Sequence, residues 1–94
     1  EKNPLTVLDS VYAVIVDLMK NPNEDSYNNA VMEKGIDEIL KKLGHECTEI
    51  ILAAKNPDRD DLKFEISDFM YHCMILMAQK NITWAEIAGE LAQR

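Results

Sequence analysis

Residues 36–80 read IDEILKKLGHECTEIILAAKNPDRDDLKFEISDFMYHCMILMAQK, and this stretch decides the fold. Ile36, Ile39, Leu40, Leu43, Cys47, Ile50, Ile51 and Ala54 recur at helical spacing and predict one apolar stripe on a helix from about Ile36 to Lys55. Asn56-Pro57 stops it, because a residue before proline is pushed out of the α region. Asp58 reads as the N-cap of the next helix, with Asp61 three residues on. That helix, over 62–80, carries Leu62, Ile66, Phe69, Cys73, Leu76 and Met77 as its stripe. Two long helices joined by so short a turn pack antiparallel.

Working outward, Asn3-Pro4 opens a helix with proline at its first position. Leu8, Val11, Tyr12, Ile15 and Met19 follow helical spacing until Lys20-Asn21-Pro22 ends it. Residues 21–29 are polar and turn-like, a loop able to cover a substrate, and a short helical turn over 28–34 ends at Gly35. Thr83 with Glu86 forms a capping box for a last helix over about 84–92. No stretch alternates with period two long enough for a sheet. The expectation is all-α: one domain over residues 1–94, an antiparallel bundle of four to five helices completed by dimerisation. Met70 and Met74 lie beyond the stripe of their helix and mark a second apolar surface, read as a homodimer seam. Trp84 reads as a packing anchor for the last helix.

The chain has 94 residues, and ten Lys and Arg against seventeen Asp and Glu leave a net charge of −7. That balance argues against nucleic acid, which needs a basic surface, and against anionic membrane surfaces. Apolar runs such as Val11–Val16 fall far short of a bilayer span. Cys47 and Cys73 are too few for a disulfide framework and point to a reducing cytoplasm.

The informative carboxylates border the apolar stripes. At 100° per residue, with Ile36 at 0°, Glu46 falls at about 280°, Lys42 at about 240° and Glu49 at about 220°. With Leu62 at 0°, Glu65, His72 and Asp68 fall at about 300°, 280° and 240°. Glu49 and Glu65 each lie eight residues from Pro57, and Glu46 and Asp68 each lie eleven. In an antiparallel pair, equal distances from the turn mean equal heights, so four carboxylates converge in two layers. Like charges this close call for a counter-charge, and Mg²⁺ is the natural one, since hard cations take carboxylate oxygens. A ligand rich in phosphate would then arrive with a divalent metal. Gly44, inside a helix at a cost of about 1 kcal/mol relative to alanine, would let a ligand or neighbouring helix approach closely. His72 reads either as a hydrogen-bonded structural residue or as a ligand or phosphate contact.

The segment KGIDEILKKLGHECTEIILAAKN (34–56), followed by EISDFMYH (65–72), closely resembles the phosphoribosyl-ATP pyrophosphatase family of histidine biosynthesis. The likeness runs from about residue 5 to residue 94. The family belongs to the wider all-α, MazG-like nucleoside triphosphate pyrophosphatases, which hold Mg²⁺ on carboxylates of two adjacent helices and usually form dimers or larger assemblies. The resemblance implies hydrolysis of phosphoribosyl-ATP between its α and β phosphates, giving phosphoribosyl-AMP and pyrophosphate. Carried over by position, it implies Glu46, Glu49, Glu65 and Asp68 as metal-binding carboxylates, Lys41 and Lys42 as a basic pair before them, Lys55 and Asn56 as a polar pair closing the helix, and His72 at a family histidine. Lys42 is also well placed on the wheel for phosphate, whereas Lys55, near 100°, rests on the resemblance alone. The chain departs from the family at His45, where a glutamate is usual, at Glu38, where lysine is frequent, and at Asn28, where threonine follows Ser-Tyr.

The expected mechanism has Mg²⁺ bridging carboxylates and polyphosphate while Glu46 or Glu49 orients the attacking water. A house-cleaning nucleoside triphosphate pyrophosphatase and a catalytically silent helical dimerisation module are the competing readings. The silent module gives no reason to keep four height-matched carboxylates.

Overall fold

A computed structural model of the chain describes residues 3–21 and 27–94, with side chains omitted for residues 27–29. The loop expected to cover the substrate lies largely outside those residues, as does the side chain of Asn28.

Five helices follow one another: α1 (Thr6–Lys20), α2 (Tyr27–Glu33), α3 (Ile36–Ala54), α4 (Arg59–Gln79) and α5 (Trp84–Leu91). There is no strand among the described residues. Local chemistry sets the boundaries. The Asn3 side chain accepts from the Leu5 N–H at 2.9 Å. This Asx-type turn holds Pro4 and Leu5 ahead of the helix, so α1 starts two residues later than Pro4 alone predicts. After α2, Gly35 sits at φ +89° and its N–H reaches the Met32 carbonyl at 3.1 Å, a left-handed turn that glycine adopts without penalty. Asp58 caps α4, but through the Asp60 N–H at 2.9 Å rather than through a reciprocal pair with Asp61. The expected Thr83–Glu86 capping box is present at the start of α5. Between α4 and α5, the Ile82 N–H reaches the Met77 carbonyl at 2.9 Å and the Asn81 N–H reaches that of Ala78 at 3.3 Å. These are the two bonds of a Schellman motif, with Asn81 at φ +57° in the place glycine usually takes.

The dominant contact is α3 against α4, with α1 packed on α4 and α2 bridging α1 and α3. Ile15, Val31, Ile39, Met74, Ile75, Met77 and Ala78 form the buried core. The Tyr12 hydroxyl donates to the Ile82 carbonyl at 2.7 Å, tying α1 to the α4–α5 connection. Trp84 and Ile87 pack against the core from α5.

Two sequence expectations change here. Met74 is a core residue and not part of an outer seam, while Met70 remains half-buried. The stripe of α3 is also rotated. Ile39 is buried, yet Leu40, Cys47 and Ile51 are exposed, Ile51 by 60%. The covered face instead follows Ile39, Leu43, Glu46, Ile50 and Ala53, about 60° round the helix. The helix holds more apolar side chains than α2 and α4 can cover, so packing chose one sector, and that sector includes a glutamate. At Gly44 a Cβ would meet nothing within 4 Å, so no other helix of this chain approaches it closely.

Candidate functional site

The turn between α3 and α4 fixes the site. The Asn56 side chain accepts from the Asp58 N–H at 3.0 Å and donates to the Asp61 carboxylate at 2.9 Å. Those bonds lock the connection on both sides of Pro57 and hold the relative register of the two helices. Glu46 on α3 then faces Asp68 and His72 on α4.

Each of these three residues offers a donor atom, and the three atoms lie within 4.8 Å of one another. Glu46 is only 7% exposed and His72 only 5%, while Asp68 is half-buried. The His72 ring holds its Nδ1 2.8 Å from the main-chain carbonyl oxygen of Asp68, one turn back on the same helix, and 3.7 Å from the Asp68 carboxylate. The Glu46 Oε2 atom is buried, with no hydrogen-bond partner among the described residues. Burial pushes the Glu46 carboxyl above its ordinary value of 4.5. Hydrogen bonding and charge from Asp68 push further in the same direction, as does the charge of Glu65, and His72 opposes them. Burial, Asp68 and Glu65 each add a cost to holding a bare negative charge there, and His72 offsets part of it.

Of the four carboxylates expected to converge, the cluster unites Glu46 and Asp68, and Glu65 acts on Glu46 through its charge. Glu65, one turn before Asp68, is half-buried and near enough for its charge to reach Glu46. Glu49 is half-buried on α3, one turn beyond Glu46. Lys42 is half-buried and lies 3.9 Å from Glu38. Lys41 is exposed, and with Glu38, Lys42 and His45 it borders a shallow hollow of about 240 Å³. Lys55 and Asn56 are exposed in the turn, where Asn56 already has a structural task. His72 is the residue whose place the sequence understated. Its spacing of four from Asp68 was the available signal, since that spacing lets the ring reach the carbonyl one turn back.

A buried, unpartnered carboxylate oxygen beside a second carboxylate is costly on its own. It fits a cation, and Glu46 and Asp68 supply the hard oxygen donors that Mg²⁺ takes. Such a pair can neutralise a polyphosphate through a shared metal and leave half-exposed carboxylates at the rim to handle a proton.

Comparison with known proteins gives the family of the chain. The chain is 47% identical over 90 residues to a phosphoribosyl-ATP pyrophosphatase of Clostridium novyi, covering 96% of this chain and 82% of that protein. It is 45% identical over 93 residues to the phosphoribosyl-ATP pyrophosphatase of Bacillus cereus (strain AH187), covering 99% and 84%. A histidine biosynthesis bifunctional protein HisIE of Caldanaerobacter subterraneus is 46% identical over 90 residues, with 96% of this chain matching 44% of that longer protein. Residues 8–94 match the family described as phosphoribosyl-ATP pyrophosphohydrolase, and the chain belongs to that family.

Proposed function

We propose that this chain is a phosphoribosyl-ATP pyrophosphatase of histidine biosynthesis, hydrolysing the α–β phosphoanhydride to phosphoribosyl-AMP and pyrophosphate. The observation that carries the reading is the buried Glu46 carboxylate, its Oε2 without a partner, set against Asp68 and His72 between α3 and α4. Family membership and the names of the relatives support the choice of substrate.

Glu46 and Asp68 would hold Mg²⁺, with Glu65 and Glu49 as the further carboxylates of the set. When bound, the metal would supply positive charge to offset that of the phosphates. Water adds its oxygen to the α phosphorus, the bond from that phosphorus to the bridging oxygen breaks, and pyrophosphate leaves. Glu49 takes the water's proton, because it is half-exposed and so reachable, whereas Glu46 is committed to the buried centre. Lys42 and Lys41 meet phosphate oxygens from the preceding turn of α3. Lys55 and Asn56 lie at the far end of the helix, and His72 faces the metal side of the site.

We also propose a homodimer in the cytoplasm. Leu40, Ile51 and Leu52 on α3 and Phe64 and Ile66 on α4 are exposed, more apolar surface than a solitary helical pair needs to leave uncovered. No helix among the described residues is long and apolar enough to cross a membrane.

The deciding assay measures pyrophosphate release with Mg²⁺ from phosphoribosyl-ATP and from a panel of nucleoside triphosphates. Phosphoribosyl-ATP should be strongly preferred, chelation with EDTA should abolish turnover, and Glu49→Gln should lower kcat by about a hundredfold or more. Preference for free nucleoside triphosphates would move the chain to the house-cleaning class. No hydrolysis of either would leave only a helical dimerisation module.

A further inference from the structure

Glu38, Lys41, Lys42 and His45 recur at i, i+3, i+4 and i+7, so they share one face of α3. Together they border the hollow of about 240 Å³. That is far above the roughly 15 Å³ one water needs, so a small anion has room there. In a chain of net charge −7, two lysines against one glutamate make the hollow locally basic. Lys42 stands one turn before Glu46, and Glu49 one turn beyond it, about 6 Å and about 4.5 Å along the axis at 1.5 Å per residue. The hollow and Glu49 therefore flank the Glu46–Asp68 centre from opposite directions along α3. Phosphoryl transfer sets the attacking and leaving oxygens roughly in line across the phosphorus. With water activated at Glu49, the leaving oxygen points toward Lys42. The Lys42 Nζ lies 3.9 Å from the Glu38 carboxylate, with the two side chains 40% and 22% exposed. That distance is a charge contact too long for a hydrogen bond, so the Lys42 N–H groups stay available to a ligand.

We infer that this hollow holds the leaving diphosphate, and that Glu38 limits the hold because its carboxylate competes with phosphate oxygens for the Lys42 ammonium. Lys41 supplies a second positive charge, and the exposed His45 ring a further hydrogen-bond donor. Glu38 is a positioning residue: it acts through Lys42 and lets the product go. The inference deepens the function proposed above and rests on it for the place of the metal centre and of the attacking water.

The probe is inorganic pyrophosphate, titrated into the full chain by calorimetry at low ionic strength. One titration contains EDTA, so that the hollow is read without a metal, and a second contains Mg²⁺. Glu38→Gln should bind pyrophosphate about two- to fivefold more tightly than wild type in both, the range of an exposed ion pair. Lys42→Gln should bind it about tenfold or more weakly. In the Lys42→Gln background, Glu38→Gln should have no further effect, a coupling that loss of charge alone does not produce. Asp60→Asn is the control for charge alone: it releases Lys63 from a 3.5 Å exposed pair on α4 and should bind as wild type does. During turnover, followed as phosphoribosyl-AMP formation, the inhibition constant of pyrophosphate should fall in Glu38→Gln by the same factor. The inference is overturned if Lys42→Gln binds as tightly as wild type, if Glu38→Gln binds no more tightly, or if pyrophosphate does not bind. Tightening that survives in the Lys42→Gln background, or that Asp60→Asn shows equally, overturns the role of Glu38. Inorganic phosphate bound as tightly as pyrophosphate overturns the assignment to a diphosphate. If the binding pattern holds but Glu46→Gln turns over phosphoribosyl-ATP like wild type, the hollow stands and the proposed centre fails. If Glu46→Gln is inactive and the pattern is absent, the hollow alone is wrong.

Discussion

Replacing Glu46 with glutamine keeps the shape of the side chain and removes its charge. In the metal-free protein Glu46 stands buried beside Asp68 with one oxygen unpartnered. A buried polar atom left unsatisfied costs about 1–3 kcal/mol. The glutamine amide can donate to the Asp68 carboxylate, and a hydrogen bond to a charged group contributes about 1.5–3 kcal/mol. Glu46→Gln should therefore stabilise the metal-free fold by at least about 1–3 kcal/mol at neutral pH, each kcal/mol raising Tm by about 4–8 °C in a domain of this size. The pH dependence gives a second reading. Because the folded Glu46 carboxyl titrates above its ordinary value of 4.5, the native state binds the proton more tightly than the unfolded chain. Stability then falls as pH rises from that ordinary value through the folded one, and Glu46→Gln removes this fall. Metal reverses the order. Mg²⁺ at a hundred times its Kd should stabilise wild type by about 2.7 kcal/mol and leave Glu46→Gln nearly unchanged. Thermal unfolding across pH 4–9, with and without Mg²⁺, reads all three effects. A metal-free Glu46→Gln less stable than wild type at pH 8, or one that gains as much from Mg²⁺, would refute the reasoning.

Two further predictions concern the backbone. Gly44→Ala adds a methyl group to open space inside α3, so it should raise stability by about 0.5–1 kcal/mol in chemical denaturation. A loss instead would mean that a second subunit packs closely against that turn. Asn81 holds the left-handed position of the α4–α5 connection at φ +57°. Asn81→Gly should be neutral or stabilising by a few tenths of a kcal/mol, while Asn81→Val should cost about 1–2 kcal/mol, both read from the unfolding midpoint.

The α3–α4 hairpin was legible because its signals are local. Asn56-Pro57 and the Asp58 cap fix where one helix stops and the next starts, and counting from Pro57 puts Glu46 level with Asp68. The capping box at Thr83 and the glycine at position 35 were legible for the same reason. The rotation of α3 was not. Its apolar residues span a wide arc, and summing them puts the centre near Ile36 and Ala54, whereas the neighbours cover only the sector holding Ile39, Leu43 and Ile50. Met74 was misplaced likewise, because α1 and α4 share a core that the periodicity of α4 alone does not record.

For this chain the sequence by itself determined an all-α chain of four to five helices, the turn between the long pair, the acidic surplus and the level at which Glu46 and Asp68 meet. All of these follow from spacing along one chain and from the fixed pitch of a helix. Only the tertiary structure decided that Glu46 lies inside the covered face rather than at its edge, that its buried Oε2 lacks a partner among the described residues, and that His72 is buried beside Asp68. Burial and desolvation depend on which neighbours arrive, and no pattern within a single helix contains that.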